Sequence, residues 1–159
     1  LEHAGAEAIL ICANTMHKVA DEVQSGLRVT LLHICDATAN AIKSKGLSKV
    51  GLLGTKTTMT DPFYKERLER HGIAVIVPSN NDIATVDSII FDELVKGIIS
   101  DTARSRVVQI INSLVEEGAE GIILGCTELP LLIEQQHVSV PLFDTLRLHA
   151  MSAVEFALA

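Results

Sequence analysis

The sequence is short of basic charge. Its 159 residues carry 13 Lys and Arg against 20 Asp and Glu, a formal net charge of −7. A duplex nucleic-acid binder carries a basic face, and an anionic membrane surface attracts clustered Lys and Arg, so neither is an expected partner. Long apolar runs are missing too; none approaches the ~20 residues a spanning helix needs. Cysteine is scarce: Cys12, Cys35 and Cys126 are odd in number, widely spaced and form no C-x-x-C pair. That excludes a disulfide framework and a zinc knuckle, and it fits a reducing cytoplasm. No basic stretch followed by an apolar core opens the chain, as a secretory leader would. There is no initiator Met either. Leu1-Glu2-His3-Ala4-Gly5 reads as a helix end running into a turn, so the sequence is expected to begin partway through a larger protein.

What is present is apolar and regularly interrupted. Hydrophobic residues make up 48% of the chain and charged residues 21%, which argues against disorder. The length suits about one domain. Short apolar runs at 8–11, 29–34, 50–53, 74–77, 121–124 and 140–143 suit buried parallel strands. Helix-length stretches separate or follow them, at 15–24, 36–45, 62–70, 83–99, 102–117 and 145–158. Strand alternating with helix predicts an α/β fold with a parallel sheet. Asp61-Pro62 predicts a helix start, Gly72 and Gly118 predict helix ends, and Asp144-Thr145 predicts the cap of the last helix.

One pattern occurs twice. Gly5-Ala6-Glu7 leads through an apolar run to Cys12, and Gly118-Ala119-Glu120 leads through another to Cys126. Small polar residues follow each thiol: Ala13-Asn14-Thr15 after the first and Thr127-Glu128 after the second. Two equivalent halves, each presenting one cysteine at a strand's carboxyl end, are expected. Ligands of open α/β sheets bind at that end, and a following helix N-terminus favours a thiolate. Two facing thiols, one ionised and one protonated, can take a proton from one face of a carbon and return one to the other. Asn14, Thr15, Thr127 and helix-terminal N–H groups can hold the carboxylate of such a substrate. The loop after the 50–53 run, with Thr55 and Thr58, offers further hydroxyls and lacks the spacing of a phosphate-binding P-loop.

Cys12-Ala13-Asn14-Thr15-Met16-His17 resembles the first cysteine motif of the aspartate/glutamate racemase superfamily, and Gly125-Cys126-Thr127-Glu128-Leu129-Pro130 resembles the second. Gly51-Leu52-Leu53-Gly54-Thr55 with Thr58-Met59 and Phe63-Tyr64 looks like the stretch between them, and Asp144-Thr145 through His149-Ala150 like the C-terminal signature. The likeness is closest to the aspartate racemase branch. It implies racemisation of a small amino acid without pyridoxal phosphate, metal or any other cofactor, in a cytoplasmic homodimer. Cys12 and Cys126 would be the acid/base thiols, with Ala13, Asn14, Thr15, Thr55, Thr58 and Thr127 around the substrate. Lys96 falls where the family places a basic substrate contact, but a solvated helix-end lysine reads equally well. Glu128 is either a helix-start carboxylate or a group orienting the second thiol.

The resemblance also implies two pseudo-symmetric Rossmann-like halves, the first incomplete. Residues 36–137 would form the complete second domain, and 1–35 with 138–159 a remnant of the first, because the family's N-terminal strand and Ser-containing loop are not in the sequence. A related isomerase or decarboxylase of the hydantoin racemase or maleate isomerase type, or an inactive binding fragment, remain alternatives. Cys35 reads as a core thiol, His17 as packed on the first turn of its helix, and His149 as structural. Cys12, His17, His33 and Cys35 match no usual zinc spacing.

Overall fold

A computed structural model describes residues 1–159. All six strands are parallel to their neighbours. In the smaller sheet β1 (Ala8–Leu10) pairs with β2 (Thr30–Leu32), with Ile9 opposite Leu31. The larger sheet has the order β4-β3-β5-β6, formed by β4 (Ala74–Ile76), β3 (Lys49–Gly54), β5 (Ile122–Gly125) and β6 (Leu142–Asp144). The fold is therefore α/β with parallel sheets, as the strand–helix alternation predicts. No helix is long and apolar enough to cross a membrane.

The two central strands are apolar from Val50 and from Ile122 onward because helices cover both faces of the sheet. Leu53, Ile122 and Leu124 point into a core shared with α5 (Asn80–Ser88), α6 (Asp101–Glu116) and α7 (Leu129–Leu132). Val50, Leu52 and Ile123 alternate to the other face, against α2 (Ile34–Ser44) and α4 (Pro62–Arg70). Each fully buried aliphatic side chain contributes about 1.5–3 kcal/mol by leaving water.

Two expected helices are built differently. The 15–24 stretch is a 3-10 helix at Thr15–Val19 followed by the short α1 (Ala20–Ser25). The 83–99 stretch is α5, a wide π turn at Ile89–Glu93 and a 3-10 turn at Leu94–Lys96, stopped by Gly97 in the left-handed region at φ 76°. The apolar spacing there buries Ile83, Val86, Ile90 and Leu94, which several helix pitches satisfy equally. The sequence reading also passed over α3 (Lys56–Thr60). The last helix, α8, spans Thr145–Leu158 with Asp144 accepting from Arg147 N–H as its cap.

The 138–159 stretch, placed with residues 1–35 by the sequence division, touches both sheets. β6 lies in that stretch, yet it pairs with β5, with Phe143 opposite Ile123, and completes the larger sheet. α8 then packs against both α2 and β2, so it bridges the two sheets. The repeated Gly-Ala-Glu turn is equivalent only in part. Gly5 and Gly118 both adopt positive φ, at 88° and 95°. Glu120 accepts the Ser48 and Lys49 N–H groups at 2.7 and 2.9 Å, bracing the start of β3. The matching brace at β2 comes from Glu2, which accepts from Arg28 and Val29, while Glu7 is exposed.

Gly54 and Gly125 face each other at the carboxyl ends of β3 and β5. A Cβ on Gly125 would lie 2.9 Å from the Leu53 carbonyl oxygen, and one on Gly54 would lie 2.8 Å from that of Gly125. Backbone cannot yield as a flexible side chain does. Gly125→Ala is therefore expected to cost about 1–3 kcal/mol, read as a lower urea midpoint. An unchanged midpoint would show that the strand ends can move apart freely.

Candidate active site

The site is assembled where β3, β5 and β6 end. Thr55 follows β3, Cys126 follows β5 and Thr145 follows β6. The segment after β1, carrying Cys12, is tied to the strand ends on either side of Cys126. Asn14 Nδ2 donates to Thr145 Oγ1 at 2.9 Å, and Thr145 in turn donates to the Leu124 carbonyl at 2.9 Å. Thr15 Oγ1 lies 3.1 Å from Thr55 Oγ1 and 3.0 Å from Thr58 Oγ1, which are 3.1 Å from each other. Because β5 lies between β3 and β6, a segment anchored to the ends of both outer strands crosses the edge that bears Cys126. Neighbouring strands are ~4.8 Å apart, so this edge is on the scale of a small amino acid.

The bonding fixes donors and acceptors. Thr145 has one hydroxyl proton, given to Leu124, so it accepts from Asn14, which must present its NH2 there. That leaves Asn14 Oδ1 buried without a partner in the chain. Thr55 also begins α3 as its cap, so the three-hydroxyl cluster is held on a helix start.

The two thiols have different surroundings. Cys12 is exposed and Cys126 is buried. Cys126 Sγ donates to Glu128 Oε2 at 2.9 Å. Burial, and then the bond and negative charge of Glu128, push the Cys126 thiol up to about 12. The backbone N–H groups of Glu128 and Leu129 act the other way and are outweighed. This corrects the expectation that a helix N-terminus lowers this thiol: α7 is only four residues long and supplies little dipole. Desolvation acts to raise the Glu128 carboxyl as well, but hydrogen bonding from Cys126 and Thr127 carries it below its ordinary value. Cys12 likewise precedes a 3-10 turn rather than an α-helix.

Of the residues singled out from sequence, Cys12, Ala13, Asn14, Thr15, Thr55, Thr58, Cys126, Thr127 and Glu128 gather at this edge. Lys96 does not join them by any hydrogen bond. Its ammonium is exposed and lies 3.7 Å from Asp92, one turn back on the same segment, a pairing worth at most about 1 kcal/mol. Cys35 is a core thiol with no exposed surface, raised far above the ordinary thiol range by burial. A cavity of about 430 Å³ lined by Lys45, Glu134, Asp144 and Arg147 among others contains neither Cys12 nor Cys126.

Two contributors escaped the sequence reading. Thr145 reads as a helix start, but its position directly after a strand matches that of Thr55 and hints at the same edge. His17 is buried behind the Cys12 loop. Its Nδ1 is 2.8 Å from the Ala13 carbonyl, and Ile34 N–H donates to its Nε2 at 3.2 Å. Its ring meets those of His33 and His149 edge-on at centroid distances of 4.5 and 5.4 Å. Burial pushes His17 down to about 4 and His33 to about 3.

The carboxyl edge of these parallel strands thus carries Cys126 and a cluster of hydroxyls, with the Cys12 segment bonded across it. The family follows from comparison. Residues 1–153 match the Asp/Glu/Hydantoin racemase model, and the chain belongs to that family. The broad specificity amino-acid racemase RacX of Bacillus subtilis is 28% identical over 162 residues, covering 100% of this chain and 68% of RacX. A crystal structure from Yersinia pestis is 51% identical with a TM-score of 0.95, covering 99% of this chain and 69% of that one. That of an aspartate racemase homologue from Pyrococcus horikoshii OT3 is 45% identical with a TM-score of 0.92, covering 99% and 70%.

Two measurements check these electrostatics. In a Cys12→Ser background, E128Q removes the charge that disfavours the Cys126 thiolate, so ultraviolet titration is expected to show the thiol ionising below its present value of about 12; an unmoved titration would show that burial alone sets it. For stability, the folded-state values of His17 and His33 lie below the ordinary 6.5, so the unfolded chain takes up protons first as pH falls. Their contribution is complete above about pH 6.5 and is lost progressively toward about pH 4 for His17 and about pH 3 for His33. Urea midpoints are expected to fall across that interval, and a flat profile would contradict neutral, buried rings.

Proposed function

We propose that the chain racemises a small amino acid of the aspartate/glutamate type by proton transfer between Cys12 and Cys126. The observation that carries this reading is the anchoring of the Cys12 segment to the ends of β3 and β6, on either side of Cys126. Family membership supports an amino-acid racemase, and the similarity to RacX and to the aspartate racemase homologue favours an amino acid as substrate.

In one direction Cys12, as thiolate, removes the Cα proton. The electron pair passes into the substrate carboxylate, and Cys126, held protonated in the free site, delivers its proton to the opposite face. The hydroxyls of Thr15, Thr55, Thr58 and Thr127 and the backbone N–H groups of the Cys12 loop hold the carboxylate as charge builds on it. In the other direction Cys126 must first be ionised. Glu128, 2.9 Å away, takes that proton and passes it to water, while the exposed Cys12 takes a proton from water; the transfer then leaves Cys126 protonated and Cys12 ionised, as at the start. Two thiols on opposite faces are needed because one base alone would return the proton to the side it came from.

The test is Cα hydrogen exchange in D2O, followed by NMR on L- and D-aspartate, then glutamate and a panel of other amino acids, with nothing added. Exchange with inversion is expected. Cys12→Ala and Cys126→Ala are each expected to reduce it by at least the 10²–10⁴-fold that a positioned acid or base supplies. Inversion that persists in the Cys12→Ala/Cys126→Ala double variant would sink the reading.

A further inference from the structure

The acid–base scheme makes no use of His17, yet this residue is bonded on both ring nitrogens. A backbone carbonyl can only accept and a backbone N–H can only donate. The contacts to Ala13 O at 2.8 Å and Ile34 N at 3.2 Å therefore admit one arrangement, with the proton on Nδ1, a lone pair on Nε2 and no net charge. The rings beside it are fixed in the same manner. His33 Nδ1 accepts from Cys35 N–H at 3.1 Å, and His149 donates from Nε2 to the Leu32 carbonyl at 2.7 Å. His17 thereby ties the start of α2 to one particular carbonyl, that of the residue between Cys12 and Asn14.

That carbonyl matters because of peptide geometry. The chain has no cis peptide bonds, so the Ala13 C=O and the Asn14 N–H point in opposite directions across one rigid plane. With the carbonyl turned inward to His17, the Asn14 N–H is turned away from it, and it has no acceptor within the chain. The far side of the same residue is held by the bond from Asn14 Nδ2 to Thr145 on α8, and His149 lies one turn further along that helix. A flip of this peptide would swing the N–H inward and release the loop that carries Cys12 from its tie to His17.

We propose that His17 is a positioning residue: by holding the Ala13 carbonyl it anchors the loop that carries the Cys12 thiol and turns the Asn14 N–H outward, toward the substrate carboxylate. This assignment rests on the two-thiol reading above for its catalytic meaning, but not for its structural content.

Two amides separate its two bonds. Asn at position 17 can place an N–H where Nδ1 stands and so keeps the bond to Ala13. Gln reaches the Nε2 position instead, keeping an acceptor for Ile34 and losing the donor to Ala13. The first readout needs no substrate. Cys12 is exposed while Cys35 and Cys126 are buried, so iodoacetamide labels Cys12 first and peptide mapping follows its rate. H17Q is expected to raise that rate by about tenfold, the equivalent of one lost hydrogen bond, and H17N to restore it. The second readout is Cα exchange, where H17Q is expected to lose about 100-fold in kcat, the scale of a small misplacement, and H17N to recover most of it. Equal losses in H17N and H17Q that follow their melting temperatures would overturn the proposal and leave His17 a packing residue. So would imidazole nitrogen spectra showing the wild-type proton on Nε2. If the wild type exchanges no amino acid but labelling still separates the two variants, the racemase reading fails and the positioning role stands.

Discussion

The pairing of β3 with β5, which sets Gly54 opposite Gly125, governs the rest of the site. It brings two strand ends level, so that the next residues, Thr55 and Cys126, emerge side by side. Glycine on both strands allows the backbones to approach where any Cβ would meet a carbonyl oxygen. β6 extends the same edge through Leu124 opposite Asp144, which puts Thr145 on the other side of Cys126. The Cys12 segment has no strand pairing of its own at this edge. It finds its place through hydroxyl and amide contacts to these residues.

The thiols are unequal partners. Cys126 is buried beside a carboxylate and stays protonated, while Cys12 is exposed. Burial favours the neutral form of any acid, so Cys126 is suited to giving a proton and needs Glu128 before it can take one. The racemisation proposed above passes through both protonation patterns of the two thiols. The carboxylate at 2.9 Å makes the less favourable pattern reachable without a second thiolate in the open.

Strand and helix order was legible because burial writes a simple code: apolar runs for strands covered on both faces, Asp144 before the last helix, Gly72 and Gly118 after earlier ones. The cysteine positions at strand ends followed from the same code. Sheet membership was not legible. The apolar run of β6 says that it is buried, not which strand it pairs with, and only the register beside β5 settles that. The bend at 89–97 was hidden because an apolar face is compatible with α, π and 3-10 pitch alike. The raised Cys126 thiol was hidden because charge balance depends on where the Glu128 side chain turns, and spacing in the chain leaves that free. Of the two readings the sequence left open for Lys96, its pairing with Asp92 is the one contact the structure gives it.

The two sheets share no strand pairing, and the thiols sit on opposite sides of that division. What ties the Cys12 segment and the smaller sheet to the larger one includes a small set of side-chain bonds: Asn14 to Thr145, Thr15 to Thr55 and Thr58, and His149 on α8 to the Leu32 carbonyl. Each contributes about 0.5–1.5 kcal/mol, far less than the burial that holds each sheet together. The place of the Cys12 segment is thus governed by weak, separable contacts, while Cys126 follows directly on the buried strand β5. α8 is the element in both sets, bonding Asn14 through Thr145 at its first residue and β2 through His149 one turn on. A displacement of α8 would therefore move the Cys12 peptide and the smaller sheet together relative to Cys126.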